Sequence, residues 1–363
     1  MSTVPRSYES LPIQVARRIA QEIQRKTWLG VLPAERTLTD TLQVSRKTLR
    51  KALTQLQREG LIETQRRVGH RIKAGTPRTK RQNASVGLLT LESLEHLPSY
   101  TALWIDELRT LLFESGVRLA TFSGHSYFMR RPEKALTRLM HQNPQACWVL
   151  PHSNERMQRW LFERQVPGII AGSCFEGLPL PSIDLDYFSV CRHAAGSMLR
   201  HGHRRLALLI TQSQRAGDIE SEAGFVEGVR SSSHAEAESI VAKHDGTVVG
   251  ASRVLSRLFD RPAPPTALLV SKPHFYLTAF AFLSQRGLRV PGDVSLVSRD
   301  SDTFLLYLTP TPAYYLLSPK TYAKRLFALV ITLIRGAKIA HPQQRIEPRF
   351  IPGPSLGPPR LVA

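Results

Sequence analysis

The 363-residue sequence has few cysteines, few acidic residues and no long apolar run. Cys147, Cys174 and Cys191 have no metal-ligand spacing and cannot all pair with one another, so we expect buried free thiols and no metal site. The longest apolar run, residues 326–334, is too short to span a bilayer and is followed by Arg335. The polar N-terminal residues lack the apolar segment of a signal peptide. We therefore expect a cytosolic protein with no membrane contact.

Enzyme signatures are also missing from the sequence. Nucleophile motifs, the phosphate-binding Walker motif and the dinucleotide-binding glycine pattern do not occur in a suitable context. His201 and His203 fit a turn at the start of a strand better than a metal site. We therefore expect no catalytic residues, no cofactor and no enzymatic activity.

Positive charge is in excess, and it is concentrated near the N-terminus. The chain carries 49 Lys and Arg against 29 Asp and Glu, a net charge of +20. Residues 1–83 hold 18 of these cations and 6 of the anions, a net charge of +12. Such a cluster favours a nucleic-acid partner, although composition alone is equally compatible with a basic surface that only solvates the fold.

A helix is predicted after Ser45, because apolar side chains recur there at intervals of three and four residues. Ser45 is a suitable N-cap and Gly60 a suitable left-handed stop. Ser45 and Thr48 can donate to phosphates from the helix N-terminus, and Arg46 and Arg50 can reach guanine edges in a major groove. The apolar stripe consists of Leu49, Ala52, Leu53 and Leu56, and the cations beside it are Arg46, Lys47, Arg50 and Lys51.

Two shorter helices precede this one, and a basic hairpin follows it. Apolar periodicity predicts the first helix over residues 13–23, and Leu38 and Leu42 mark the second. Residues 61–64 and 71–73 are predicted to pair as strands, so that cations at the tip would contact the DNA backbone or minor groove. The candidate DNA-binding residues are Arg36, Ser45, Arg46, Lys47, Thr48, Arg50, Lys51, Arg66, Arg67, His70 and Arg71.

About the first 73 residues resemble the GntR family of regulators. The family motifs stand here in order as Leu32-Pro33-Ala34-Glu35-Arg36, then Val44 to Leu53, then Glu59 to Ile62. The resemblance implies an N-terminal winged helix-turn-helix domain (α+β) over residues 1–75 that binds double-stranded DNA. The sequence departs from the family at Arg67-Val68-Gly69, where Gly-x-Gly is usual.

After a polar, basic linker at residues 76–84, short apolar strands alternate with helical segments. This pattern is typical of parallel sheets covered on both faces, and residues 85–355 suffice for two α/β lobes with a ligand cleft between them. The predicted strands lie at residues 86–89, 117–122, 147–150, 168–171, 206–210, 266–270 and 294–297.

The same region resembles the effector-binding domain of LacI-type repressors, which is itself similar to periplasmic sugar-binding proteins. The motifs that carry the resemblance include Pro181 to Asp186, Gly202 to Leu209, Gly224-Phe225 and Gly287 to Ser295. It implies a two-lobed, type I periplasmic-binding-protein-like α/β fold with parallel sheets. Lobe one would hold about residues 85–201 and 313–337, and lobe two about 203–311 and 340–355. Joined to a GntR-like reader, this is the layout of arabinose-repressor-type proteins.

The sequence departs from that family where the effector would bind. Ser221 stands where an effector-binding arginine is common, and Lys272-Pro273 replaces the usual Asn-Asp. Lys272 or Arg299 could supply the missing cation, or each could be a solvated charge at the cleft rim. Asp300 is retained.

Two carboxylates follow apolar strands and are candidates for contact with the effector. Asp300 is expected to face the ligand, and Asp186 to lie at the opposing rim, although either could instead cap a helix. A carboxylate that accepts from two hydroxyls favours a sugar or polyol. The candidate effector-binding residues are Asp186, Ser221, Lys272, Arg299 and Asp300.

The sequence therefore predicts a ligand-responsive transcription regulator, more specifically a repressor of a carbohydrate-related operon. We expect a homodimer on a near-palindromic DNA site and a small-molecule effector. One alternative is a DNA-binding regulator whose degenerate sensor only dimerises. Another is an aminotransferase-like domain with Lys272 as the Schiff-base lysine of pyridoxal phosphate.

Overall fold

The computed structural model describes residues 11–24, 27–28, 30–58, 60–65, 69–72 and 84–360. The chain divides into two compact units, residues 1–82 and 83–363. Within the described ranges, no helix combines the length and the apolar character needed to cross a membrane. The expected linker, apart from Ala84, lies outside the described residues.

In its described residues the first unit contains three helices and a two-stranded antiparallel sheet. Its elements are α1 (Leu11–Gln24), α2 (Glu35–Leu42), α3 (Arg46–Arg58), β1 (Ile62–Gln65) and β2 (Gly69–Ile72).

The apolar stripe of α3 forms the centre of this unit. Leu49, Ala52, Leu53 and Leu56 are all buried, as their spacing predicts, and they pack against Ile19 of α1. Burial of each large aliphatic side chain contributes about 1.5–3 kcal/mol. The stripe therefore fixes which face of α3 points inward and leaves its cations outside.

The second unit contains two six-stranded sheets, each covered by helices on both faces. The first sheet has the order β13-β7-β6-β5-β3-β4 and is parallel throughout. The second has the order β14-β12-β11-β10-β8-β9, and only β14 runs antiparallel. This confirms the expected two-lobed, parallel-sheet α/β fold.

The first sheet consists of β3 (Ser85–Thr90), β4 (Arg118–Ser123), β5 (Cys147–Pro151), β6 (Gly168–Ala171), β7 (Ser182–Leu185) and β13 (Gln343–Ile346). The helices α4 (Ser99–Glu114) and α11 (Pro319–Ile334) cover one face, and α5 (Glu133–Gln142) and α6 (Glu155–Glu163) the other. Every residue of β5 and β6 is buried, which explains why these strands read as continuous apolar runs.

The second sheet consists of β8 (Arg205–Thr211), β9 (Glu238–His244), β10 (Ala267–Val270), β11 (Ser295–Ser298), β12 (Ala313–Leu316) and β14 (Arg349–Ile351). The helices α7 (Tyr187–Arg200) and α8 (Ala216–Arg230) cover one face, and α9 (Val248–Phe259) and α10 (Pro273–Gln285) the other.

The lobe boundaries differ from those expected. The chain crosses between lobes after β7, after β12 and after β13. Residues 187–200 and β12 therefore belong to lobe two and β13 to lobe one, the reverse of the expectation in each case. The physical reason is long-range: α7 packs on the second sheet, while β12 pairs with β11 and β13 pairs with β7. No local pattern reveals such partners.

All three cysteines are free thiols, as expected. Cys147 and Cys191 are buried, but Cys174 is only half-buried, and its Sγ donates to the carbonyl of Leu178 at 3.1 Å.

Candidate functional site

The ends of α3 have the predicted capping residues. The hydroxyl oxygen of Ser45 accepts from the backbone amide of Thr48 at 3.2 Å, and the two hydroxyls lie 2.9 Å apart. Gly60 has a φ of +71°, and the amide of Leu61 donates to the carbonyl of Leu56 at 3.0 Å. These contacts satisfy backbone groups that a helix end otherwise leaves open, so α3 is held in place at both ends.

A row of cations lies on the exposed side of α3. Arg46, Lys47, Arg50 and Lys51 border a shallow surface depression of about 560 Å³. Arg50 donates from Nε to Glu35 Oε2 at 3.1 Å, but its side chain is 69% exposed. A pair so exposed is weak and screened by salt, so Glu35 does not prevent Arg50 from contacting DNA.

The remaining candidates for DNA contact are placed differently from one another. Arg36 and Arg71 are exposed, in agreement with a role at a surface. His70 is only 16% exposed, with Nδ1 3.2 Å from Thr64 Oγ1 and Nε2 3.8 Å from Glu35, so its ring is engaged within the unit. Arg66 and Arg67 lie outside the described residues.

A cavity of about 630 Å³ lies between the lobes of the second unit. Lobe one supplies the ends of β5, β6 and β7, and lobe two supplies the ends of β10 and β11 with the starts of α8 and α10. This is the edge of parallel sheets at which ligands bind. The aromatic residues in its wall are Tyr100, Trp104, Tyr187, Phe304, Tyr315 and Tyr322.

Arg299 is the most constrained charge in the cavity wall, because its side chain is 4% exposed and nearly every donor is used. Nε and Nη2 bind the two oxygens of Asp300 at 3.1 and 2.9 Å, and Nη1 reaches Ser221 at 2.7 Å and Asp218 at 3.4 Å. The guanidinium also lies 4.2 Å from the ring centre of Tyr187. Burial alone would lower the pKa of Arg299, but Asp300 and its other neighbours raise it well above the usual range.

Ser221 and Asp186 do not line the cavity, which corrects two expectations. Ser221 is fully buried in α8, donates to the carbonyl of Gly217 at 2.7 Å and accepts from Arg299, so it positions that arginine. Asp186 is the N-cap of α7, where Oδ1 accepts from the amide of Ser189 at 2.9 Å. Asp186 therefore caps a helix, which was the alternative to ligand contact, because α7 begins at the next residue.

Lys272, Arg299 and Asp300 do line the cavity, as expected. Burial and the nearby Arg215 lower the pKa of Lys272. The two oxygens of Asp300 are already bound by Arg299, so this carboxylate presents itself to the cavity as half of an ion pair.

The sequence analysis missed Asp184, which lies two residues before Asp186 and lines the cavity. Oδ2 accepts from Ser173 at 2.9 Å and Oδ1 from the amide of Leu185 at 2.8 Å. Burial raises its pKa to about 7, against the opposing effect of these hydrogen bonds. The signal that could have identified Asp184 is a carboxylate within the otherwise buried strand Ser182–Leu185.

A bridge between the lobes was also missed. Glu220 of α8 in lobe two accepts two hydrogen bonds of 2.7 Å from Arg345 of β13 in lobe one. The hydroxyl of Ser173, also in lobe one, lies 3.3 Å from the same carboxylate. The Ser173 hydroxyl contacts both Asp184 and Glu220. The bridge between the lobes is therefore connected to a carboxylate in the cavity wall.

Two family profiles match separate parts of the chain. Residues 13–72 match the gntR family of bacterial regulatory proteins. Residues 195–356 match the periplasmic binding protein-like domain.

Among curated relatives, the transcriptional repressor CytR of Escherichia coli K12 is 24% identical over 144 residues. That match covers 40% of this chain and 42% of CytR, so the chain spans less than half of that relative. The arabinose metabolism transcriptional repressor of Geobacillus stearothermophilus is 22% identical over 288 residues, covering 75% of this chain and 76% of the repressor.

Solved structures of regulators share the fold. CcpA of Lactococcus lactis superposes with a TM-score of 0.66 at 15% identity, covering 75% of this chain and 99% of that one. The regulator CelR in complex with cellobiose gives a TM-score of 0.66 at 19% identity, covering 86% and 92%. The chain thus joins a winged helix-turn-helix unit, of which residues 13–72 match the gntR family, to a two-lobed α/β unit, of which residues 195–356 match the periplasmic binding protein-like domain.

Proposed function

We propose that the protein is a ligand-responsive, DNA-binding transcription regulator that represses a carbohydrate-related operon. The observation that carries the proposal is the presence, in one chain, of an exposed cationic helix face and an inter-lobe cavity of about 630 Å³. The first is suited to a DNA groove and the second to a small molecule.

The DNA-binding part of the proposal rests on α3. Its apolar side is buried, so the exposed side with Arg46, Lys47, Arg50 and Lys51 is the one that can enter a major groove. Arg46 and Arg50, one turn apart, would read base edges, whereas Lys51 and the expected wing residues Arg66 and Arg67 would bind phosphates. Ser45 and Thr48 would direct the N-terminus of α3 toward the phosphates of the DNA backbone.

The regulatory part of the proposal rests on the cavity between the lobes and on the bridge between Glu220 and Arg345. A ligand that contacts Asp184 from lobe one and Asp300 from lobe two would change the equilibrium between closed and open lobes by its difference in affinity for the two states. Repression and a sugar effector are supported by the relatives, which include the arabinose metabolism repressor and CelR, solved with cellobiose.

The proposal extends to a homodimer on a near-palindromic operator, because a twofold protein requires a twofold site. The test is binding of the full chain to the DNA upstream of its own gene and neighbouring operons, followed by addition of sugars. Specific binding that a sugar weakens supports the proposal. Binding without sequence preference would contradict it.

A sensor that no longer binds a metabolite and serves only for dimerisation is the second candidate. Ser221 and Lys272, where the family has other polar groups, favour it. The intact cavity and the buried, fully bonded Arg299 favour a working sensor instead. A ligand screen by thermal unfolding separates the two candidates, since a degenerate sensor would show no stabilisation.

A further inference from the structure

The lobe-two wall of the cavity contains two cations without partners. Among the residues that the structure describes, neither the Lys272 ammonium nor the Arg215 guanidinium has a hydrogen bond or an ion pair, and both line the cavity. Burial lowers the pKa of Lys272, and the positive charge of Arg215 is close enough to lower it further. Two like charges are therefore held together at one side of the ligand space.

The carboxylates nearby are committed to other groups. Asp218 accepts from Ser213 at 2.5 Å and from Arg299 at 3.4 Å, and both oxygens of Asp300 are bound by Arg299. Asp302 accepts from the Thr303 hydroxyl at 3.2 Å. In the described ranges no carboxylate lies within ion-pair distance of Lys272 or Arg215, so Asp218 and Asp300 act on Lys272 only from a distance and both cations remain available to a ligand.

Two helix N-termini contribute at the same place. Arg215 is the residue before α8 and Lys272 the residue before α10, and the first residues of both helices line the cavity. Free amides at a helix N-terminus carry partial positive charge and favour anions. The backbone therefore adds to the field of the two side chains.

The surrounding histidines do not compensate this field. Burial lowers the pKa of His152, His244 and His274, and Lys272 lowers each of them further, with Arg215 also acting on His152. His152, at the end of β5 in lobe one, holds a φ of +56°, a left-handed backbone that is unusual for a residue other than glycine. This side of the cavity is therefore a cationic centre bordered by imidazoles whose pKa values are lowered.

We infer that the effector carries a compact anionic group, a carboxylate or a phosphate, and that Lys272 and Arg215 bind it at the starts of α10 and α8. The rest of the ligand is polyhydroxylated and lies against the aromatic and carboxylate groups of the other wall. This assignment rests on the proposed function, because it names the chemical class of the proposed effector. A neutral sugar would give neither cation an anionic partner within ion-pair distance.

The test uses the full chain and two small probes, inorganic phosphate and acetate, each compared with chloride at equal ionic strength. Binding is followed by thermal unfolding and calorimetry in the parent, K272Q, R215Q and the control K338Q. Lys338 is exposed and outside the cavity, so K338Q removes the same charge at a position that does not contact the ligand space. We expect one probe to bind the parent and K338Q alike, and about tenfold more weakly to K272Q and R215Q.

Folding of K272Q is checked first. Because the pKa of Lys272 is lowered in the folded protein, removal of its charge should leave the melting temperature unchanged or raise it. Loss of anion binding by a variant that melts no earlier than the parent then reports on the site itself.

A second arm compares glucose, glucuronate and glucose 6-phosphate, which share a ring and differ in the charged group. Preference for glucuronate assigns a carboxylate, and preference for glucose 6-phosphate a phosphate. Equal binding of either anion to K272Q and K338Q, or binding of glucose alone, would overturn the inference while leaving a sugar-responsive regulator intact. If the parent protein showed no specific DNA binding, that result would overturn the proposed function but not the anion subsite.

Discussion

The Nη1 group of Arg299 donates a 2.7 Å hydrogen bond to the hydroxyl of Ser221, a residue 78 positions earlier in the chain. Ser221 lies in α8 and Arg299 directly follows β11, so the guanidinium of Arg299 reaches this helix from the end of a strand. A side chain as small as serine leaves room for it. The cleft thus retains a buried arginine beside Asp218 and Asp300.

The first prediction concerns the stability that this arginine provides. Arg299→Gln leaves the buried Asp218 and the half-buried Asp300 without their cation, so it should lower the free energy of unfolding by about 3–5 kcal/mol. Denaturant unfolding measures the effect. The control is Arg289→Gln, which removes an exposed arginine paired with Asp293 and should cost below about 1 kcal/mol. Equal losses in the two variants would show that the buried network is not special.

The second prediction concerns Asp184 and pH. Its pKa is raised from 3.8 to about 7 in the folded protein, so the folded state binds the proton more tightly than the unfolded state does. Ionisation of Asp184 therefore opposes folding, and its contribution to stability is present below pH 4 and is lost as the pH rises to 7. Asp184→Asn should be more stable than the parent at pH 8, by on the order of 1–2 kcal/mol, with no gain near pH 4.

The measurement for Asp184 is the difference in unfolding free energy between variant and parent across that pH range. Asp186→Asn is the matched control, because Asp186 caps α7 outside the cavity. A difference for Asp184→Asn that does not change with pH would contradict the prediction.

The third prediction concerns the bridge between the lobes. Glu220→Gln removes the negative charge and one of the two oxygens that accept from Arg345 at 2.7 Å, and it should shift the lobes toward an open state. Small-angle scattering should show a larger radius of gyration, and the affinity for the effector should change. Glu227→Gln is the control on the same helix, because Glu227 pairs with Arg230 within α8. If both variants scatter alike, the bridge does not hold the lobes together.

The fourth prediction concerns DNA recognition. Arg46→Ala and Arg50→Ala should each weaken binding to the specific operator by about 1–3 kcal/mol and relax the preference at one base position. Lys51→Ala should instead lower affinity for all sequences and reduce the salt dependence. Fluorescence anisotropy with specific and scrambled duplexes separates the two effects. Arg257→Ala, exposed on α9, serves as the control. Unchanged operator affinity in both arginine variants would mean that α3 is not the recognition helix.

The fifth prediction concerns dimerisation through lobe one. The helix α4 buries Leu108 and Leu112 but leaves Leu103 51% exposed and Phe113 57% exposed. Leu103→Glu should therefore convert a dimer of the full chain to monomer in analytical ultracentrifugation. Val249→Glu, at an exposed valine of α9, should leave the dimer intact. A parent that is monomeric at micromolar concentration would refute the assignment.

Local patterns in the sequence were sufficient for α3 and for most of the strands, although β9, β12, β13 and β14 were not predicted. The stripe from Leu49 to Leu56 predicted the buried side of α3, and the cap at Ser45 and the stop at Gly60 predicted its ends. The apolar runs predicted the strands to within a residue or two, including the strand at residues 168–171. Helix spacing and strand burial depend on near neighbours in the chain, so composition and periodicity determine them.

The lobe assignment of α7, β12 and β13 was decided by tertiary structure. These elements pair or pack with partners far away in sequence, such as β13 with β7, and their own residues fit either lobe. The same holds for Asp186, whose position after a strand suits a ligand contact or a cap until the helix that follows is in place.

The chemistry of the cleft is also a tertiary property. Sequence identified Lys272, Arg299 and Asp300 as candidates, but only the folded chain pairs Arg299 with Ser221 and Asp300. It gives the Lys272 and Arg215 side chains no ion-pair partner among the described residues. The pKa of Asp184 is raised by burial at a place where Ser173 of lobe one and Glu220 of lobe two lie beside it. Charge and desolvation act through space over a few ångströms, so the residue types are written in the sequence while their energies are set by the neighbours that folding brings to them.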